Sequence, residues 1–294
     1  MLDHVATLIA RPAQVSDLKA ALAAVEAAAQ GAPVDWLAAD EAVDVFFVGA
    51  PNLRNRVRTA VGDRPVDVVV QPIADRRKRL LVADMDSTMI GQECIDELAD
   101  FAGIKAEIAA ITERAMRGEI AFREALKERV ALLAGLPLSA IDRVIAERVT
   151  FTPGAETLLR TMRANDAYAV LVSGGFTSVV ERVGAMLGFD EFRANLLITA
   201  DGKLTGAVAE PILGREAKRA ALEEFATRLG LGPSETLAVG DGANDLDMLA
   251  AAGLGVAYHA KPKVAAAAAA RIDHGDLTAL LYVQGYRREE FVGG

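Results

Sequence analysis

Two carboxylates, one residue apart, close the apolar run in Leu80-Leu81-Val82-Ala83-Asp84-Met85-Asp86-Ser87-Thr88. The run has the length and bulk of a short, fully buried strand. Carboxylates left unpaired at the rim of a core cost several kcal/mol. The pair therefore calls for positive charge, and a metal ion is the first candidate. Three further segments have related chemistry. Val172-Ser173-Gly174-Gly175 sets a hydroxyl and two glycines between an apolar strand and a helix, where backbone N–H groups can approach an anion. Lys218 is a lone cation at a helix start. Val239-Gly240-Asp241-Gly242-Ala243-Asn244-Asp245 places two more carboxylates on a glycine-rich loop after a strand. Taken singly, these segments read as a turn, a solvated lysine and a helix cap. Taken together, they offer oxygen ligands for a hard cation and donors for phosphate oxygens, the requirements of phosphoryl transfer.

The elements that must position these residues follow from periodicity. Apolar strands at Tyr168 to Val172, Thr236 to Val239 and Leu254 to Ala257 alternate with helices at Gly154 to Asn165, Thr177 to Leu187, Arg215 to Leu229 and Asp245 to Ala252. A helix-strand-helix series ends the chain, with Ala265 to Ala270 as helix-forming low complexity. Leu196 to Thr199 and Gly206 to Glu210, joined through Asp201-Gly202, read as a hairpin. The alternation predicts a parallel sheet covered on both faces, with ligands at the carboxyl ends of its strands. Residues 92–150 interrupt the pattern with helices at Gln92 to Ala102, Glu107 to Arg117, Phe122 to Leu133 and Ser139 to Glu147.

Residues 1–74 follow another order: strand, helix, strand, strand, helix, strand, the last at Val66 to Val70. That is the ferredoxin-like pattern. The module is read as regulatory or dimerising, with an amino-acid effector and a homodimer as its candidate roles. The basic run Asp75-Arg76-Arg77-Lys78-Arg79 reads as an exposed linker.

Composition bounds the function. A chain of 294 residues, 52% hydrophobic and 25% charged, supports a sizeable core and excludes extended disorder. A net charge of -9 argues against a nucleic-acid partner. No membrane span and no secretory signal are expected. The single Cys94 excludes an internal disulfide and fits a cytoplasmic location. His4, His259 and His274 are scattered without zinc spacing.

DMDST, VSGG, the downstream lysine and GDGAND together resemble the four motifs of the haloacid dehalogenase superfamily of phosphatases. The resemblance covers roughly residues 79–285. It implies an α/β fold: a Rossmann-like parallel-sheet core at 75–91 and 151–294, a helical cap at 92–150, and the ferredoxin-like (ACT-like) module at 1–74 outside it. It implies Mg²⁺ as cofactor, held by Asp84, the backbone carbonyl of Asp86, and Asp241. Asp84 would be the nucleophile and Asp86 the general acid and base. Lys218, Ser173, the N–H of Gly174 and Asn244 would bind substrate, and Asp245 would orient the metal shell or Lys218. Within the cap, Glu93 and Arg129, with Met116 and Phe122, are similar to the phosphoserine phosphatases. That likeness implies O-phosphoserine as substrate, with Glu93 on its ammonium, Arg129 on its carboxylate, and Met116 and Phe122 shielding the ester. Other small phosphomonoesters, phosphoryl transfer to a second alcohol, and an amino-acid sensor are the alternatives.

Overall fold

The computed structural model describes residues 2–29, 32–117 and 119–293, with the backbone alone at Met116. The chain opens with β1 (His4–Ile9), α1 (Val15–Ala29), β2 (Val34–Ala38), β3 (Ala42–Phe47), α2 (Leu53–Val61) and β4 (Asp67–Pro72). The four strands pair antiparallel in the order β2-β3-β1-β4. Successive side chains of a strand point to opposite faces, and the two faces of this sheet differ in kind. Ala6, Leu8, Val43, Val45, Val68 and Val70 pack together with α1 and α2 residues such as Leu18 and Val57. Ile9, Ala42 and Val69, on the other face, belong to the core of the second layer. Thr7, Asp44, Asp67 and Gln71 share that inner face and are buried.

The second layer begins at β5 (Leu80–Ala83) and continues through the helices α3 (Cys94–Ala102), α4 (Lys105–Met116), α5 (Phe122–Leu132) and α6 (Leu138–Arg148). Then come α7 (Ala155–Ala164), β6 (Tyr168–Phe176), α8 (Thr177–Leu187), β7 (Glu191–Asn195), β8 (Leu197–Ala200) and β9 (Lys203–Val208). The chain closes with α9 (Arg215–Arg228), β10 (Thr236–Gly240), α10 (Leu246–Ala251), β11 (Leu254–Tyr258), α11 (Pro262–Ala267), β12 (Ala270–Ile272) and α12 (Ala279–Val283). Six strands form an all-parallel sheet in the order β12-β11-β10-β5-β6-β7. β5 and β10 are buried along their whole length, as strands covered on both faces must be. Among the described residues no helix is long and apolar enough to cross a membrane.

The α3–α6 cap is tied down at two places. At its root Ile90 bridges Phe151, the N–H of Gly91 donates to the Thr150 carbonyl at 3.0 Å, and the Gln92 amide both donates to and accepts from Thr150. At its far side the backbone of the loop after α5 joins the β8–β9 hairpin. Gly135 N–H donates to Leu204 O at 2.8 Å, and Leu204 N–H donates to Leu136 O at 2.9 Å. Gly206, at φ +84°, lets the hairpin close on α5: a Cβ there would lie 2.9 Å from that of Ala134.

Three local expectations change. β7 escapes the sequence reading because Glu191-Phe192-Arg193-Ala194-Asn195 has no apolar run; it is an edge strand, where charge is favoured. The alanine run does not continue as helix: α11 ends at Ala267 and Ala270 opens β12. The basic run is an exposed linker only in part: Asp75, Arg77 and Arg79 are exposed, but Arg76 and Lys78 are not. Arg76 is buried against Asp44 in a bidentate pair at 2.6 and 2.8 Å, and it donates to the carbonyls of Val283 and Tyr282. Lys78 donates to the carbonyls of Asp75 and Ser234, both at 2.6 Å.

Candidate active site

β5 delivers Asp84 to the sheet's carboxyl edge, between the ends of β6 and β10. The Asp84 carboxylate is buried; Oδ1 accepts from the Met85 N–H at 2.8 Å and from Lys218 Nζ at 2.7 Å. Lys218, projecting from α9 and 2% exposed, also donates to Asp245 Oδ1 at 2.6 Å. Burial opposes the lysine's charge, but the flanking carboxylates outweigh it and hold the ammonium above its ordinary range. Two carboxylates share one cation, so the buried trio carries an excess negative charge. Burial and Asp245 accordingly push the Asp84 carboxyl well up, against the pull of Lys218. Gly240 at the end of β10 makes room for this arrangement: a Cβ there would stand 2.4 Å from Asp245 Cγ. The second oxygen of Asp245 accepts from the Gly242 N–H at 2.9 Å.

Asp241 completes an acidic cluster with Asp84 and Asp245, whose ligand oxygens lie within 4.8 Å of one another. Burial first, then Asp245 and Glu93, push its carboxyl up to about 6. Ser87, in the turn after β5, takes φ +54° and donates to Glu93 at 2.7 Å. Asp86 accepts from the Cys94 N–H at 3.1 Å, and Ser173 Oγ approaches its other oxygen at 3.4 Å. Burial, then Glu93, push the Asp86 carboxyl up to about 6. Ser173 in turn accepts from the Gly175 N–H at 2.8 Å, which fixes the hydroxyl.

Above these groups lies a cavity of about 360 Å³ roofed by the cap. Asp84, Asp86, Gly174, Asp241 and Asn244 line its floor, and Glu93, Phe122 and Arg129 its walls. The floor offers carboxylates for a cation, and backbone and side-chain donors for an anion. The walls offer one anion and one cation. Arg129 is held by the Ala125 carbonyl at 3.2 Å and Thr112 Oγ1 at 3.4 Å, and among the described residues no carboxylate forms an ion pair with it. Burial pulls its basicity down, while Asp96 and Glu93 support the charge. The Phe122 ring lies 3.5 Å from where a Gly174 Cβ would be, an ordinary van der Waals separation, so the cap reaches the floor at this point.

The model of the haloacid dehalogenase-like hydrolase family matches residues 81–250, the stretch that carries all of these floor residues. The chain belongs to the haloacid dehalogenase-like hydrolases. This hydrolase is 47% identical over 240 residues to a phosphoserine phosphatase of Streptomyces coelicolor, covering 81% of its own length and 58% of the relative's. It is 48% identical over 208 residues to the phosphoserine phosphatase of Polaromonas, covering 69% of its own length and 88% of the relative's. Among solved structures, a family hydrolase from Salmonella Typhi aligns over 95% of this chain and 98% of its own, with a TM-score of 0.85 at 27% identity. A phosphoserine phosphatase described as a phospho-aspartyl intermediate analogue aligns over 70% of this chain and 98% of its own, with a TM-score of 0.65 at 40% identity.

The sequence-predicted residues thus converge, with Ser173, Lys218 and Asp245 lying directly beneath the cavity floor. Met116 ends α4, but its side chain lies outside the described residues. The cavity also takes in Lys261, Thr112 and Ile95, which the sequence reading passed over. Lys261 follows β11, a fourth strand end beside the site, but a lysine ahead of a helix is unremarkable in sequence.

Proposed function

We propose that this hydrolase is a phosphoserine phosphatase that works through an aspartyl-phosphate on Asp84. The observation that supports this most is the placing of Glu93 and Arg129 on the walls of the cavity that holds Asp84. A zwitterionic head needs one anion and one cation, and an unpaired guanidinium suits a planar carboxylate.

Asp84 would attack phosphorus, forming an O–P bond as the ester O–P bond breaks and splitting one hard displacement into two. Asp86, whose carboxyl is pushed up to about 6, would protonate the departing serine oxygen and later take a proton from the water that cleaves the acyl phosphate. Ser173, the Gly174 N–H and Lys218 would hold the phosphoryl oxygens as charge spreads over them. Asn244 would hydrogen-bond substrate from the floor, and Asp245 would orient Lys218 through the 2.6 Å contact. Phe122 and Met116 would exclude water from the ester. Mg²⁺ fits the donor set, which is all oxygen with uncompensated charge: Asp84, Asp241 and the Asp86 carbonyl would hold it, and it would neutralise the phosphate and the nucleophile. The buried lone cysteine fits a cytoplasmic setting. The N-terminal module would serve regulation or dimerisation, which sedimentation with and without added amino acid tests.

The experiment is phosphate release from O-phosphoserine and from glycerol phosphate, each with Mg²⁺ and with chelator. Release should require Mg²⁺ and favour phosphoserine, and Arg129→Ala should cut kcat/KM for phosphoserine by roughly 10²-fold while sparing glycerol phosphate. Equal losses on both esters would show that Arg129 does not read the carboxylate.

A further inference from the structure

Two of the three N–H donors of Lys218 are engaged: its contacts, at 2.7 and 2.6 Å, are to the buried carboxylates of Asp84 and Asp245. The cavity itself is lined by Asp84, Asp86, Glu93 and Asp241. Even with a divalent cation in place, such a site repels an incoming phosphate ester. Arg129, on the cavity wall, is given to the carboxylate of the substrate, and one further cation faces the cavity. Lys261 follows the end of β11, where Pro262 opens α11 and fixes the turn, and its side chain lines the cavity beside Asp241 and Asn244. Lys261 is exposed and, among the described residues, forms no ion pair. Its charge acts on Asp241 against the effect of burial.

We propose that Lys261 is a substrate-binding cation on the open side of the cavity, which draws the phosphate group in and at the same time opposes divalent-cation binding at Asp241. The proposal rests on the phosphatase reading for its substrate and goes beyond it in assigning this residue. It requires effects of opposite sign. A positive charge beside a metal site and an anion site weakens the first and strengthens the second, whereas a lysine that merely begins a helix does neither. Over a few ångströms of a water-like dielectric, moderated by salt, one charge changes the affinity of a doubly charged ion by roughly 3- to 10-fold.

The test uses the full chain as wild type, Lys261→Ala, Lys261→Glu and Lys261→Arg. Calorimetry without substrate gives the Mg²⁺ Kd, and calorimetry at saturating Mg²⁺ gives the Kd of inorganic phosphate. Lys261→Ala should lower the Mg²⁺ Kd by about 3-fold and raise the phosphate Kd by a similar factor. Lys261→Glu should exaggerate both shifts, Lys261→Arg should restore both, and added salt should shrink them. The kcat/KM for phosphoserine should fall in step with phosphate affinity. Unchanged constants, or shifts of the same sign, would overturn the proposal. Both readouts precede turnover, so a wild-type chain that binds both ions yet leaves phosphoserine intact would overturn the phosphoserine reading while the opposed shifts still upheld Lys261.

Discussion

Asp86 and Asp241 are carboxylates that the fold leaves poorly compensated, each pushed up to about 6 from an ordinary 3.8. The linkage runs in one direction. A carboxyl with a raised folded pKa contributes stability that is fully present below 3.8 and is lost as pH rises through about 6. At neutral pH and without metal, the ionised groups therefore destabilise the fold. Asp241→Asn in chelator should raise stability at about pH 8 by on the order of 2 kcal/mol, with the gain fading toward about pH 4. Thermal unfolding at both pH values checks this, and a variant less stable than wild type at the higher pH would contradict it. The carboxylates, Ser173 and the glycines were legible in the sequence because their types and strand-end positions are unusual together. Lys261 was not, since a lysine before a helix is ordinary until the fold turns it toward Asp241.

At the scale of elements, the helices and strands flanking the site emerged from periodicity with their ends shifted by a few residues. What periodicity could not show is how the cap is held. The hydrogen bonds between the loop after α5 and the β8–β9 hairpin join segments some seventy residues apart, and such contacts leave no local pattern. Gly206 is the tight point: its φ of +84° and the nearby Ala131 carbonyl oxygen, 3.1 Å from a Cβ, penalise any side chain. Gly206→Val should cost about 1–3 kcal/mol in strain and loosen the latch. Limited proteolysis should then cut within residues 117–138 sooner than in wild type, and the KM for phosphoserine should rise while the acidic floor still binds Mg²⁺. A cleavage pattern identical to wild type would mean the hairpin does not hold the cap.

At the scale of the whole molecule, the order of elements in the N-terminal module was legible, but its attachment was not. Period-two alternation puts Thr7, Asp44, Asp67 and Gln71 on one face, and each finds its partner outside the module's own core. Asp67 accepts from the N–H groups of Asp273, His274 and Gly275, with Asp273 at 2.7 Å and Gly275 at 2.6 Å. Gln71 donates to the Val283 carbonyl at 2.6 Å. Asp44 pairs with Arg76 and accepts from Thr7 at 2.8 Å, and Thr7 in turn accepts from Arg76 at 2.8 Å. Buried polar residues recurring on one face of amphipathic strands were the missed signal: that face is covered, and by something polar enough to answer it. Asp44→Ala leaves the Arg76 guanidinium buried without its carboxylate and should cost about 3–5 kcal/mol. Because Ile9, Leu37 and Val69 share a core with the second layer, urea unfolding should remain a single transition at a lower midpoint. Loss of the N-terminal module alone, with the second layer intact, would contradict that coupling.

The account stands or falls on Asp84 becoming phosphorylated. Rapid acid quench of the Mg²⁺-loaded chain with O-phosphoserine, followed by peptide mass spectrometry, should find one phosphoryl group on the peptide containing Asp84, and none in Asp84→Asn, which should also lose turnover. Phosphate release by wild type with no phosphorylated Asp84 peptide, or sustained turnover by Asp84→Asn, would contradict it.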